Sequence, residues 1–202
     1  MERLQVTERH TFFMKYYLAP MEGLTTYNFR TNWNRCYGGM DKYFTPFISN
    51  RHMNSRERND VLPEHNVGMY TVPQILTNKA EEFLSLAEQL AGYGYHEVNL
   101  NLGCPSGTVT AKHKGAGLLA YPEELERCLD EIFGTLPEMR VSIKTRIGKN
   151  DPAEWPRLLD IYARYPVAEL IVHPRLQKEF YRGAVHRDAF DAALAQRQDV
   201  PV

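Results

Sequence analysis

Short strand-like segments alternate with helix-like segments along almost the whole of this 202-residue chain. Strands are predicted at 15–21, 42–48, 71–76, 97–103, 141–147 and 169–173, and helices at 25–37, 78–92, 122–133, 155–165 and 188–196. Strands that alternate with helices usually form a parallel sheet with right-handed crossovers. The pattern therefore predicts an α/β fold, either an open doubly wound sheet or a (β/α)8 barrel.

Polar residues on one face of the predicted strands favour the barrel. No G-x-G-x-x-G turn follows the first strand, which argues against a dinucleotide-binding sheet. Buried parallel strands are normally apolar on both faces, whereas these carry polar side chains near their carboxyl ends. The polar residues are Gln74, Asn99, Asn101, Ser142, Lys144, Arg146 and His173, with Arg175 two positions later. Barrel sites lie at the carboxyl ends of the strands, so a polar ligand is expected there.

The side-chain types at this end suit a planar ligand that is rich in heteroatoms and partly anionic. A flavin ring fits, because it offers carbonyls and ring nitrogens, and a cation stabilises its reduced, anionic form. Taken singly, each residue has another explanation: an amide can cap a loop, Lys144 can lie on the surface, and His173 can be structural. Their occurrence on successive strands favours a shared site.

Composition limits the partners and the compartment. The formal net charge is −1, so a nucleic-acid partner requires a local basic patch. Three widely spaced cysteines do not form a disulfide framework and indicate a reducing, cytoplasmic compartment. No apolar run of about 18 residues predicts a membrane span, and no metal site is expected. Residues 1–13 lack a signal-peptide pattern and are interpreted as an extension that precedes a single domain at 14–202.

Cys104 is the strongest catalytic candidate in the sequence. It follows the fourth predicted strand, between Gly103 and Pro105, which restrict the backbone around it. A thiol at a barrel mouth can transfer a proton. Cys36 and Cys128 fall within helix patterns, where a structural role is the expected one.

An ordered set of motifs resembles the tRNA-dihydrouridine synthase family across residues 15–202. The motifs are APMEG at 19–23, PQIL at 73–76, NLNLGCP at 99–105, KGAG at 114–117, IKTR at 143–146 and VHPR at 172–175, followed by Gln177, Tyr181 and Gly183. Each tetrapeptide alone is weak, but their order and spacing together are specific. The resemblance implies a (β/α)8 barrel that binds FMN and reduces selected uridines in tRNA to 5,6-dihydrouridine, with NADPH as the reductant.

The resemblance also implies roles for individual residues. Cys104 would be the general acid that protonates C5 of the uracil after a hydride reaches C6. The expected cofactor-binding residues are Gln74, Lys144 and His173 around the isoalloxazine, Pro20 and Met21 beneath it, and Arg175 near a phosphate. The expected substrate-binding residues are Asn101, Lys112 and Lys114. His113, Arg51, Arg56 and Arg58 are further basic loop residues that could approach RNA or belong to a solvated surface.

The chain departs from the family pattern at its carboxyl end. The family barrel has two more strands, whose turns hold the FMN phosphate, and a helical domain that binds tRNA. About six βα units and the beginning of a seventh strand at 200–202 are expected here, so weak FMN binding and low activity are expected of this chain alone.

Three other functions remain open on the sequence. One is an FMN barrel that oxidises or reduces free pyrimidines, of the dihydroorotate or dihydropyrimidine type. Another is an RNA-binding fragment without flavin. The third is an aldolase-type barrel with Lys144 as a Schiff-base lysine, which leaves Cys104 without a role. The sequence does not indicate the tRNA position or the oligomeric state.

Overall fold

A computed structural model describes residues 14–136, 138–197 and 199–202, and its six strands form one parallel sheet in sequential order. The strands are β1 (Tyr17–Leu18), β2 (Lys42–Ile48), β3 (Thr71–Ile75), β4 (Glu97–Leu102), β5 (Arg140–Arg146) and β6 (Leu170–His173). The helices are α1 (Tyr27–Cys36), α2 (Ser55–Val61), α3 (Ala80–Gly92), α4 (Gly107–Thr110), α5 (Pro122–Thr135), α6 (Trp155–Tyr162) and α7 (Arg187–Gln196). Each longer helix follows a strand, as expected for βα units.

The hydrophobic core lies between the outer face of the sheet and the helices. Along β4, Val98, Leu100 and Leu102 are fully buried on this face. The helix α3 contributes Phe83, Leu86, Ala87 and Leu90, and α5 contributes Leu125, Leu129 and Ile132. Both sets recur at three- and four-residue spacing, which puts them on one face of each helix. The other face of each strand is therefore free to point inward.

Contacts between distant strands show that the sheet is curled. The Lys42 ammonium on β2 lies 2.9 Å from a Glu97 oxygen on β4 and 2.7 Å from a Glu169 oxygen just before β6. The Tyr17 hydroxyl on β1 donates to Glu169 at 2.7 Å. Because a flat six-stranded sheet would hold β1 and β6 far apart, these contacts require a curved one. The predicted incomplete (β/α)8 barrel is confirmed as a curled, six-stranded parallel sheet with alternating helices.

Several predicted boundaries differ from the structure. The first strand is only Tyr17–Leu18, because the chain leaves the sheet before Pro20. The helix α3 begins at Ala80, and the Asn78 amide donates to the Lys112 carbonyl instead of capping it. Residues 200–202 form no strand, although the Pro201 carbonyl accepts from the Leu170 N–H at 2.9 Å. Proline has no N–H with which to continue that pairing.

Two short helices, α2 and α4, were not predicted from the sequence. A capping box between Asn54 and Glu57 begins α2. The proposed extension at 1–13 lies outside the described residues, so the division at residue 14 stays a prediction. None of the helices in the described part of the chain is long and apolar enough to cross a bilayer.

Candidate active site

A cavity of about 630 Å³ opens at the carboxyl ends of the strands. It is lined by residues from five strands, β2 to β6, and from the loops that follow β1, β4 and β6, among them Pro20, Met21, Phe47, Gln74, Asn101, Cys104, Lys144, Arg146, His173, Phe180 and Tyr181. Its volume falls within the range of about 300–1,000 Å³ that is common for small-molecule sites. Seven of the residues expected at the site from the sequence therefore share one cavity: Pro20, Met21, Gln74, Asn101, Cys104, Lys144 and His173.

Inward-facing amides form a hydrogen-bonded chain below the cavity. The Gln74 amide donates to Asn99 at 2.8 Å, and the Asn101 amide donates to the Gln74 oxygen at 2.7 Å. The Asn99 amide donates to the Ser142 hydroxyl at 3.0 Å. These bonds form because Gln74 pairs in register with Asn99, and Asn99 with Ser142. Asn99 and Ser142 therefore lie fully buried within the barrel and satisfy each other, which corrects their expected position at its mouth.

Asn101 fixes the backbone of the cysteine loop. Its side-chain oxygen accepts the N–H groups of Gly103 at 3.0 Å and Cys104 at 2.9 Å. On the other side, the Cys104 carbonyl accepts the Ala116 N–H at 3.1 Å. The neighbouring Gly115 packs tightly against the same carbonyl, since a Cβ at this position would lie 2.9 Å from the Cys104 oxygen. The half-exposed thiol is thus held at the cavity wall by a loop with little freedom to move.

Arg146 joins the cysteine loop to the loop after β6. Its guanidinium is 1% exposed and donates from Nε to the Gly103 carbonyl at 3.0 Å. Its Nη1 donates to the carbonyls of Leu176 at 2.9 Å and Phe180 at 2.8 Å. The sequence put Arg146 on the inward face but gave it no function. Its position two residues after Lys144, on the same face, was the available signal.

Positive charge accumulates on this wall of the cavity. Burial lowers the pKa of Lys144, the neighbouring Arg146 lowers it further, and Cys104 partly opposes the shift. Burial, followed by the charges of Arg146, Lys144 and Arg175, lowers the pKa of His173 to about 4. The imidazole is therefore neutral at neutral pH.

No nearby acid in the described part of the chain neutralises this charge. Among the described residues, no carboxylate lies within 4.0 Å of the Lys144 ammonium or the His173 ring. Glu22 is the only carboxylate among the described lining residues, and it forms an ion pair with Arg56. A ligand that brings partial negative charge would complete the electrostatics of the cavity.

Three of the expected site residues lie away from the cavity lining. Arg175 donates to the Gly183 carbonyl at 2.6 Å. Lys114 lies 3.3 Å from a Glu82 oxygen, and Lys112 is exposed. For the two lysines the reason is that residues 107–110 and 115–120 fold into short helices that pack on each other, the second of them also against β4, instead of an open basic loop.

Three aromatic lining residues were given no role from the sequence: Phe47, Phe180 and Tyr181. The alternation of inward and outward residues along β2 did not predict that Phe47 reaches the cavity, because the register shifts between Phe44 and Phe47. This bulge puts Phe47 opposite Gln74, whose side chain reaches the cavity. Tyr181 belongs to a motif of the resemblance, whereas no sequence signal identified Phe180.

The fold and the site together define a class: a βα barrel with a thiol, amides and uncompensated cations around a cavity at the carboxyl ends of its strands. The family model described as "Dihydrouridine synthase (Dus)" matches residues 17–202. The chain belongs to the dihydrouridine synthase family.

Curated proteins with related sequences agree with this assignment. A "Probable tRNA-dihydrouridine synthase" of Staphylococcus epidermidis is 31% identical over 195 residues, which cover 91% of this chain and 56% of the relative. One of the same name from Staphylococcus aureus is 30% identical over 190 residues, with the same coverage of each chain. A "tRNA-dihydrouridine(16) synthase" of Cupriavidus necator is 32% identical over 195 residues, which cover 92% of this chain and 60% of the relative. The chain thus spans little more than half the length of these relatives.

Proposed function

We propose that this chain carries the flavin and uridine sites of an enzyme that reduces uridines in tRNA to 5,6-dihydrouridine, with FMN as cofactor and NADPH as reductant. The convergence of Cys104 with Gln74, Lys144 and His173 on one cavity carries this proposal. The names of the relatives support tRNA as the substrate. Three free cysteines support a reducing, cytoplasmic location.

The donor set fits the ring of a flavin. Gln74 and the neutral His173 can hydrogen-bond ring heteroatoms, and Lys144 supplies the cation that stabilises negative charge on a reduced ring. Pro20 and Met21 provide an apolar surface for one face of the ring. When bound, FMN would supply the hydride that adds to C6 of the uracil.

Cys104 would complete the reduction as a general acid. The C5–C6 double bond of the uracil opens when C6 gains a hydride, and C5 then takes a proton from the Cys104 thiol. The Asn101 side chain holds this loop in place through two backbone N–H groups. The target uridine must leave its base stack to reach the cavity, as in other enzymes that modify bases.

The lowered pKa of Lys144 also suits a Schiff-base lysine. That alternative gives no function to the constrained Cys104 loop. Borohydride trapping of a carbonyl substrate on Lys144, with unchanged yield in Cys104→Ala, would favour it over uridine reduction.

A flavin-binding assay followed by tRNA turnover tests the proposal. The chain is titrated with FMN and followed by visible absorption, and is then supplied with excess FMN, NADPH and an unmodified tRNA transcript. Cys104→Ala is expected to keep the flavin spectrum and to lower dihydrouridine formation by about 10²–10⁴-fold. Cys36→Ala is the matched control, because Cys36 is exposed on α1 away from the cavity. Turnover by Cys104→Ala at the wild-type rate would contradict the proposal, as would a folded chain whose FMN titration shows no binding.

A further inference from the structure

A strained turn presents two aromatic rings at the rim of the cavity. The Arg182 N–H donates to the Glu179 carbonyl at 2.9 Å, which closes a four-residue turn around Phe180 and Tyr181. Phe180 has φ +53° and ψ −98°, the second position of a type II′ turn, which glycine normally occupies. A phenylalanine in this conformation is strained, so the surrounding structure must hold it there.

The surrounding contacts fix this turn from both sides. The Phe180 carbonyl accepts from Arg146 at 2.8 Å. One Glu179 oxygen accepts the Leu176 N–H at 2.7 Å, and the other lies 2.9 Å from the His186 ring. Strain that is maintained by a buried arginine and a carboxylate suggests that the position of the Phe180 ring matters.

The two rings, which we call the aromatic lip, are exposed although they line the cavity. Phe180 is 44% exposed and Tyr181 is 71% exposed. The Tyr181 ring is supported on its inner side, where the Arg146 guanidinium lies 5.5 Å and the His173 ring 5.9 Å from its centre. A ring that is supported on one side and exposed on the other is ready to stack on a planar group.

The charge around the lip identifies that planar group. The segment 175–187 contains Arg175, Lys178, Arg182 and Arg187, against the single acid Glu179, whose oxygens are already engaged. Lys178, Arg182 and Arg187 are exposed. Exposed aromatic rings among cations are typical of surfaces that bind single-stranded nucleic acid, where bases stack and phosphates pair with the charges.

We propose that the aromatic lip stacks on unpaired RNA bases that flank the uridine in the cavity, while Lys178 and Arg182 contact the adjacent phosphates. The identity of the central uridine rests on the proposed function. The lip itself adds a recognition element that no catalytic role requires. It would hold the strand open beside the cavity and keep the extracted uridine aligned with Cys104.

Fluorescence anisotropy with a labelled single-stranded RNA dodecamer that contains one uridine tests the stacking. Tyr181→Ala is expected to weaken binding about 10-fold without changing the salt dependence, because stacking releases no counterions. Tyr181→Phe, the matched control, keeps the ring and should bind like the wild type. Lys178→Ala should instead lower the slope of log K against log salt by about 1.

Phe180→Gly separates stacking from a purely structural role. Glycine accepts this turn conformation, so the melting temperature should hold or rise by about 2–4 °C, while RNA affinity falls several-fold. The proposal for the lip would be overturned if the chain binds no RNA, or if the wild type, Tyr181→Ala and Phe180→Gly bind RNA equally. A lower melting temperature in Phe180→Gly would also count against it.

FMN titration of the same samples distinguishes the two proposals. RNA affinity that depends on Tyr181 in a chain whose FMN titration shows no binding would support the lip and contradict the proposed function. If the chain binds flavin and Tyr181→Ala leaves its RNA affinity unchanged, the proposed role of the lip is wrong and the proposed function is unaffected.

Discussion

Two inward-facing lysines at opposite ends of the barrel have opposite surroundings. Lys42, at the start of β2, lies within 2.9 Å of Glu97 and 2.7 Å of Glu169. Its ammonium also lies 5.4 Å from the centre of the Tyr17 ring and 5.6 Å from that of Tyr70. Lys144, near the end of β5, has no carboxylate within 4.0 Å in the described part of the chain. Within one sheet, the same residue type is thus neutralised at the amino end and left uncompensated at the carboxyl end.

The amino end forms a closed polar cluster. Glu97 accepts the Tyr70 hydroxyl at 2.8 Å, and Glu169 accepts the Tyr17 hydroxyl at 2.7 Å. Burial and the Glu97 carboxylate raise the pKa of Tyr70 to about 12, so its hydroxyl remains a donor at physiological pH. Each charge therefore has its partner inside the protein, and the cluster contributes to stability by joining β1, β2, β4 and the chain before β6.

The positive charge at the carboxyl end has no acidic partner among the described residues, so a bound ligand would have to compensate it. The lowered pKa values of Lys144 and His173 both reflect burial beside further cations. Such an arrangement lowers the stability of the empty fold and increases its affinity for a partly anionic ligand. The contrast shows how the two ends of this barrel differ: inward-facing charge is compensated at the amino end, which is structural, and uncompensated at the carboxyl end, where a ligand would bind.

Lys42→Met should have the largest effect on stability. The substitution leaves the buried Glu169 without its lysine and Glu97 with only the exposed Arg140, at 3.7 Å. Breaking a buried ion pair in this way costs about 3–5 kcal/mol in the free energy of unfolding. Urea denaturation followed by circular dichroism measures it. Lys144→Met is the matched control, because it makes the same replacement on the same inward side of the sheet. Equal destabilisation by both substitutions would break the comparison.

Gly117→Ala should have the next largest effect, because the carboxyl end is held by close backbone contacts. A Cβ at Gly117 would lie 2.7 Å from the Thr110 Cα and carbonyl oxygen. Neither backbone atom can move easily, so a loss of about 1–3 kcal/mol is expected. Gly103→Ala is the control, since its nearest contact would be an ordinary 3.6 Å. A Gly117→Ala chain as stable as Gly103→Ala in urea would show that α4 is loosely packed.

The sequence predicted the barrel because its signals are local. Apolar periodicity marked five of the six strands closely, and β2 at both ends. The inward face of β5 was also recognised, because Ser142, Lys144 and Arg146 alternate with apolar residues. The cavity assembled from that alternation contains seven of the ten residues named for the site.

What the sequence could not provide depends on contacts between distant segments. The two ion pairs of Lys42 span 55 and 127 positions of the sequence, and no local pattern predicts them. Asn99 was assigned to the mouth because its hydrogen-bond partner, Ser142, is 43 positions away, so nothing in the sequence indicated that the amide is satisfied inside the barrel. Lys114 was counted as a free cation because its partner Glu82 lies on α3, 32 positions away.

Lys144→Met should change stability little and flavin binding more. Removing an uncompensated cation should leave the free energy of unfolding equal or raise it by about 1 kcal/mol. Loss of a charge-assisted hydrogen bond should weaken FMN binding about 10-fold. Urea denaturation and flavin titration measure the two quantities on one preparation. A clear loss of stability would mean that Lys144 has a compensating partner in the empty fold.

Near neutral pH, the smallest expected effect is a pH dependence of stability that comes from His173. Its pKa is about 4 in the folded chain and near 6.5 when unfolded. Between these values the unfolded chain binds a proton that the folded chain does not, so stability falls as the pH drops from about 6.5 to 4. At higher pH both states are neutral, and the difference disappears.

His173→Asn should remove this part of the pH dependence. The cations that depress the pKa of His173 are Arg146, Lys144 and Arg175, so Lys144→Met should reduce the same slope without abolishing it. The exposed His52 provides the control in His52→Asn. Urea midpoints at pH 7, 6, 5 and 4 give the slopes. If wild type and His173→Asn lose stability in parallel, neither burial nor the cations at the mouth lower the pKa of the imidazole, and the carboxyl end is more screened by solvent than its lack of acidic partners implies.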